Sequence, residues 1–290
     1  MGLVQTLSRR KMLLGGAAVA LLAAAAATFA AFGGPLGGAG AGQASVTVAL
    51  APATSDRIYG RASAAGRAIV VLDPGHGGHD PGATAVSGDL KEAELTLALA
   101  RELRDALVQR GRVRVAMTRD DDSYLSLEER AAVARRLNAS LFLSLHMDSA
   151  PNPLARGASV YSLSDVASDA DTDRFARAEN ASGGATARAS DPVDAILSEL
   201  SLRGQMTDSA DLAERLVRKA AGRLELRPEP HRFAAFHVLR SSGTAAVLFE
   251  AGYLSNVEDE ALLRSPVHRA KIVSALAQAI ETDVAARARR

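Results

Sequence analysis

Three short apolar runs constrain this chain more than anything else in it: Ala68-Ile69-Val70-Val71-Leu72, Leu141-Phe142-Leu143-Ser144-Leu145 and Ala245-Ala246-Val247-Leu248-Phe249. A strand with one wet face alternates apolar and polar residues, whereas a strand covered on both faces reads as a continuous apolar run of this length. Helical patterns separate the runs. Leu95, Leu99, Leu103 and Leu107 recur every four residues and stop at Gly111, a helix stripe with a C-terminal glycine. Val113, Val115 and Met117 alternate as a strand does, and Ser126 with Glu129 matches a capping box opening a helix to about Leu137. Ala158 to Leu163 predicts another strand. Ser265 and Pro266 suit the cap and first position of a final helix running to about Ala285. Strands alternating with helices predict an α/β fold: one domain built on a mainly parallel twisted sheet flanked by helices.

The pattern begins at Arg67, so residues 67–290 are taken as the folded domain. Residues 33–66 are rich in Gly, Ala, Ser and Thr without periodicity and read as a linker. Residues 1–32 have the layout of an export signal, with Arg9-Arg10-Lys11 ahead of an uncharged Ala/Leu/Gly run. The adjacent arginines resemble the twin-arginine type, which implies a periplasmic destination. Ala25-Ala26-Ala27, Ala39-Gly40-Ala41 and Gly42-Gln43-Ala44 all offer small residues for cleavage, and an uncleaved anchor is the alternative. One stretch breaks the alternation. Residues 164–207 carry many acidic side chains around Gly183-Gly184 and read as a helical insertion.

Charge and composition exclude some functions. The net charge of +1 becomes −2 once the three cations of residues 1–55 are set aside, so the body has no basic footprint for nucleic acid. With no cysteine, any metal must be held by His, Asp or Glu.

Three of the buried runs end in residues able to bind a metal or work beside one: Asp73-Pro74-Gly75-His76-Gly77-Gly78, His146-Met147-Asp148-Ser149 and Glu250-Ala251-Gly252-Tyr253. Sites of parallel α/β sheets form beyond the carboxyl ends of strands, so these groups converge although far apart in sequence. Glu92 stands at the start of the Leu95 to Leu107 helix, with Glu94 as an equally placed competitor. Hydrolytic zinc takes three protein ligands, two His and one Glu being a known set, and leaves a position for water. His76, Glu92 and His146 would then be the ligands, with Glu250 as the base. His79, His231, His237 and His268 are left outside the site.

Asp73-Pro74-Gly75-His76-Gly77-Gly78 with Asp80-Pro81-Gly82-Ala83, Leu90-Lys91-Glu92, Met117-Thr118-Arg119, Ser126-Leu127-Glu128-Glu129-Arg130, Ser144-Leu145-His146 and Glu250-Ala251-Gly252-Tyr253-Leu254-Ser255-Asn256 resembles the catalytic domain of zinc-dependent N-acetylmuramoyl-L-alanine amidases. The likeness spans about residues 67–285. It implies zinc at His76, Glu92 and His146, favouring Glu92 over Glu94, and a catalytic role for Glu250. It implies peptidoglycan as substrate, cut between N-acetylmuramic acid and L-alanine, for wall remodelling and daughter-cell separation. The insertion resembles the regulatory segment of division-type amidases, with Glu179 the candidate inhibitory ligand, released by a periplasmic activator protein. The chain is expected to act as a monomer. Alternatives are a zinc peptidase acting within the stem peptide and a non-catalytic wall-binding regulator. Met147 stands where the family usually has a small residue, and is expected to touch no ligand.

Overall fold

A computed structural model describes residues 56–182 and 192–289; the export segment and most of the linker lie outside them. In chain order the elements are β1 (Ile58–Tyr59), β2 (Ile69–Pro74), α1 (Glu92–Arg110), β3 (Arg114–Met117), α2 (Leu127–Arg136), β4 (Leu141–Asp148) and β5 (Ala158–Leu163). There follow α3 (Ala170–Ser182), α4 (Pro192–Ala220), β6 (Leu226–Ala234), α5 (His237–Arg240), β7 (Ala246–Tyr253), α6 (Val257–Arg264) and α7 (Pro266–Arg287).

The strands form one mixed sheet in the order β1-β3-β2-β4-β7-β5-β6. The central pairs β3–β2, β2–β4 and β4–β7 are parallel, as the continuous apolar runs predict, while β1 on β3 and β5 on β7 are antiparallel. The helix signals act as predicted. Gly111 closes α1 in the left-handed region at φ 66°, and Ser126 with Glu129 forms the reciprocal capping box of α2. The Ser265 hydroxyl accepts from the His268 N–H at the start of α7.

Three features of the structure stand beside the expected boundaries. The stretch read as linker to residue 66 contributes Ile58–Tyr59 to the sheet edge. The expected end of the insertion at about residue 207 falls inside α4, whose far half carries the buried Leu212, Ala213 and Leu216 into the core. A strand absent from the sequence reading, β6, pairs in parallel with β5 and holds Pro228 and Pro230, residues tolerated only at a sheet edge.

Alternation along the central strands assigns two faces. Val70, Leu72, Leu143, Leu145, Val247 and Phe249 join one core cluster with Leu99, Leu103 and Leu107 of α1 and Ile272, Leu276 and Ile280 of α7. Val71, Phe142, Ala246 and Leu248 join the other, with Val133 of α2, Ala176 of α3 and Leu239 of α5. Leu99, Leu103 and Leu107 are wholly buried, each contributing on the order of 2 kcal/mol by leaving water. Continuing the alternation, Ser144, His146 and Glu250 fall on the second face, the one that α3 covers.

Candidate metal centre

The site starts from Asp73, buried near the end of β2. Its carboxylate accepts from Thr118 Oγ1 at 2.7 Å, Ser144 Oγ at 2.7 Å and Arg130 Nη1 at 2.9 Å. Burial opposes its charge, but Arg130 and these hydrogen bonds prevail and hold its pKa below the usual carboxylate value. Arg130 also donates to the carbonyls of Pro74 and His76, each at 2.7 Å, while Arg119 donates to those of Pro74 at 3.0 Å and Gly75 at 2.8 Å. Two buried guanidiniums thus fix the turn after β2. Burial and the charge of Arg130 bring Arg119 down to about 10, which leaves it protonated at neutral pH.

That turn delivers the first imidazole. His76 sits at φ 60°, an uncommon conformation for a side-chain-bearing residue, which the two arginines and their carbonyl partners hold in place. A Cβ on Gly75 would fall 2.4 Å from Cε1 of His146, so only glycine lets the turn pass beneath the second imidazole. His76 Nδ1 lies 2.9 Å from Asp80 Oδ2, a contact that orients the ring and leaves Nε2 facing inward.

Glu92 begins α1 and is 4% exposed, whereas Glu94 faces solvent, which removes the competitor. Glu92 Oε1 lies 3.1 Å from both His76 Nε2 and His146 Nδ1, and accepts from the Met147 N–H at 2.9 Å. Its other oxygen accepts from the Ala83 N–H at 2.9 Å. Met147 therefore does touch a proposed ligand, but through its backbone, which any residue at that position supplies. Burial raises the Glu92 pKa, while His76 and then contacts with His146 lower it further, for a net shift well below the usual value.

Glu179 of α3 completes the cluster. Its Oε2 lies 3.5 Å from His146 Nδ1 and 3.9 Å from His76 Nε2, and burial raises its pKa against the pull of both imidazoles. One ligating atom each from His76, His146 and Glu179 fall within 4.8 Å of one another. Beneath α3 is a cavity of about 20 Å³ that His76, Asp80, His146 and Glu179 help line, room for about one water by the same measure. Packing of Phe175 against Tyr161 and Phe236 seats the helix, and polar contacts fix its C-terminal end. Asn180 donates to the Ala235 carbonyl and accepts from the His237 N–H, both at 2.8 Å, and Tyr124 donates to the Ser182 carbonyl at 3.0 Å.

Glu250 stands beside this cluster as the register partner of His146 on the neighbouring strand, with Ser159 of β5 on its other side. It is wholly buried, and neither carboxylate oxygen has a hydrogen-bond partner among the described residues. Burial first, then the charges of Asp148 and Glu92, push its pKa well up. Unpartnered buried carboxylates are costly, which singles this one out as a candidate functional position.

The donor set fits a borderline divalent cation such as zinc: two imidazole nitrogens and one carboxylate oxygen around one point, with Glu179 as a fourth. Two observations favour a positive charge at that point. His76 Nε2 is buried without a hydrogen bond although Glu92 Oε1 is near it. Burial opposes the charged form of His76, yet Glu92, Asp80 and Glu179 raise its pKa to about 11. The other histidines stay out of the cluster. His79 stacks on Tyr124 with centroids 3.9 Å apart, and His231 pairs with Ser162 Oγ at 2.8 Å. The sequence reading quoted Asp73, Asp80, Arg119 and Arg130 within motifs but gave them no role. Their place after apolar strands and in a helix start was the signal available.

Comparison with known proteins gives the family. A family model for N-acetylmuramoyl-L-alanine amidases matches residues 70–282. The chain is 33% identical over 220 residues to the N-acetylmuramoyl-L-alanine amidase AmiA of Escherichia coli, covering 74% of this chain and 75% of that one. Among solved structures it resembles the catalytic domain of CwlV from Bacillus (Paenibacillus) polymyxa, with a TM-score of 0.56 and 26% identity over 74% of this chain and 97% of the other. AmiC2 of Nostoc punctiforme gives a TM-score of 0.54 and 27% identity over 75% and 97%.

Proposed function

Because the chain belongs to the N-acetylmuramoyl-L-alanine amidase family, we propose that it holds zinc between His76, Glu92 and His146 and uses Glu250 to carry the proton in its reaction. As an amidase of peptidoglycan, it hydrolyses the amide between the lactyl group of N-acetylmuramic acid and L-alanine. The observation that carries the site assignment is the meeting of Glu92 Oε1 with both imidazoles at 3.1 Å, next to a buried, unpartnered Glu250.

When bound, the ion supplies a Lewis acid and an activated water at neutral pH. The chain's own groups do the rest. Asp80 takes His76 Nδ1, and the Met147 and Ala83 N–H groups hold Glu92, so the ligands are set before metal arrives. The raised pKa of Glu250 suits a group that accepts a proton at its carboxylate oxygen and returns it to the leaving amine. The test is digestion of purified wall with and without a chelator, with fragments identified by mass. Free amino groups on a residue other than L-alanine would replace this reading with a stem-peptide peptidase.

Glu179 is proposed as an inhibitory fourth donor: α3 places its carboxylate against both imidazoles and closes the cavity, as a group occupying the water's position would. Release requires an activator that binds the open form better than the closed one. Among the described residues no helix is long and apolar enough to cross a membrane. Export to the periplasm through the twin-arginine route is proposed from Arg9-Arg10, and service in daughter-cell separation from the regulatory helix. Changing Arg9 and Arg10 together to Lys should leave precursor in the cytoplasm.

A further inference from the structure

A second cavity, of about 420 Å³, opens on the other flank of α3, where Asp148, Asn152, Tyr161, Phe175, Arg227 and Tyr253 are among its walls. Nothing in the proposed mechanism uses it. It lies beyond the carboxyl ends of β4 and β7, because Asp148 and Tyr253 are the register pair that follows His146 and Glu250. Asp148 is two residues past His146 on β4, roughly 7 Å at about 3.3 Å per residue.

Arg227 sets the chemistry of this cavity. It reaches in from β6 and donates from Nη1 to the Tyr253 hydroxyl at 2.7 Å, with its guanidinium 6.0 Å from that ring's centroid. No carboxylate of the described residues lies within 4.0 Å of it. Its neighbours differ: Arg232 on the same strand is paired with Asp169, and Arg174 on the α3 wall with Asp171. A guanidinium has five N–H donors in a fixed fork, and this one spends a single donor on the protein. The Tyr253 hydroxyl accepts from Arg227, so the fork is braced from behind. A braced, incompletely partnered guanidinium at a cavity wall is shaped for the bidentate grip of a carboxylate.

We infer that this cavity is a subsite in which Arg227 binds a carboxylate carried by the peptide portion of the substrate, within two residues of the amide that is cut. The inference rests on the amidase reading for its choice of ligand. The muramoyl carboxyl is consumed in the amide itself and the acetylated sugar is uncharged, so the acid comes from the peptide. An extended peptide advances about 3.3–3.6 Å per residue, so two residues span the separation between the His146–Glu250 pair and the Arg227 cavity.

The experiment is calorimetric titration of the full chain with two peptides that differ in one group, Ala-Glu-amide and Ala-Gln-amide. The native chain is expected to bind the acid about tenfold more tightly, the usual worth of a charge-assisted bidentate contact. Arg227→Gln should abolish that preference while the chain remains folded at the titration temperature, checked by thermal unfolding, and Arg227→Lys should retain part of it. Equal binding of the two peptides by the native chain overturns the inference, a comparison that needs no variant. So does an acid preference that survives in Arg227→Gln. Wall digestion separates this from the amidase reading. A chain that cuts the muramoyl–alanine bond yet ignores the acid loses only the subsite, and one that prefers the acid yet leaves the wall uncut loses only the reaction.

Discussion

His146 and Glu250 are register partners on adjacent parallel strands and point to the same face of the sheet, the face that α3 covers with Glu179. The proposed ligand and the proposed proton carrier therefore sit on two adjacent strands whose every residue is buried, and their spacing is set by the sheet rather than by a loop. Separate roles for the two follow.

Replacing His76, Glu92 or His146 by Ala is expected to lower zinc occupancy, since each removes one of three ligands. Glu250→Gln should keep the metal and lose about 10²- to 10⁴-fold in turnover, the usual range for general acid–base groups. Elemental analysis beside wall hydrolysis checks both. Full loss of zinc in Glu250→Gln would show that a ligand has been misassigned.

Asp80→Asn keeps the shape beside His76 Nδ1 but weakens the contact that orients the ring. Outer partners of metal-binding histidines typically contribute 10- to 100-fold in affinity, and a loss of about that size is expected in competition with a chelator. Unchanged affinity would mean that the turn after β2 orients His76 by itself.

Glu179→Ala should raise the basal hydrolysis of purified wall several-fold in the absence of any partner. A chain lacking residues 165–205 should do the same or more, although its deletion also removes the start of α4. If the intact chain already matches both variants, Glu179 does not hold the enzyme off.

Asp73 gives stability a pH dependence of known sign. Its folded pKa is depressed, so its contribution is fully present above the unfolded value of about 3.9 and disappears as pH falls through the folded pKa. Asp73→Ala should cost about 3–5 kcal/mol at pH 7, because the buried Arg130 guanidinium loses its anion. Thermal unfolding between pH 7 and pH 3 should show the gap between wild type and variant narrowing towards acid. A constant gap would mean that Asp73 acts through packing and not through charge.

The sheet's centre was legible in the chain because β2, β4 and β7 are covered on both sides and so read as unbroken apolar runs. Its margins were not. Ile58–Tyr59 is too short to show a period, and β6 carries two prolines that signal a turn in isolation. His76, His146 and Glu250 were readable as strand-end residues. Glu92 was told from Glu94 by resemblance, and the structure gives the physical reason: at the first position of α1 the Glu92 side chain is buried toward the strand ends, whereas Glu94 two residues on faces water. The Asp73, Arg119 and Arg130 network was invisible because its members lie 46 and 11 residues apart along the chain and meet only through folding. Arg227 carries no motif at all, and only the parallel pairing of β6 with β5 turns it toward the cavity.

The shallow seating of α3 has a consequence for the hierarchy of openings in this molecule. Of its thirteen residues only Thr172 and Ala176 are buried, whereas every residue of β4 and β7 is. Opening free energies follow such differences in burial, so backbone amides of α3 should exchange with solvent deuterium far sooner than those of β4 and β7. The covering helix can then lift away through a sub-global fluctuation in which the strands bearing His146 and Glu250 remain protected, and each excursion exposes the proposed zinc ligands with their arrangement already set.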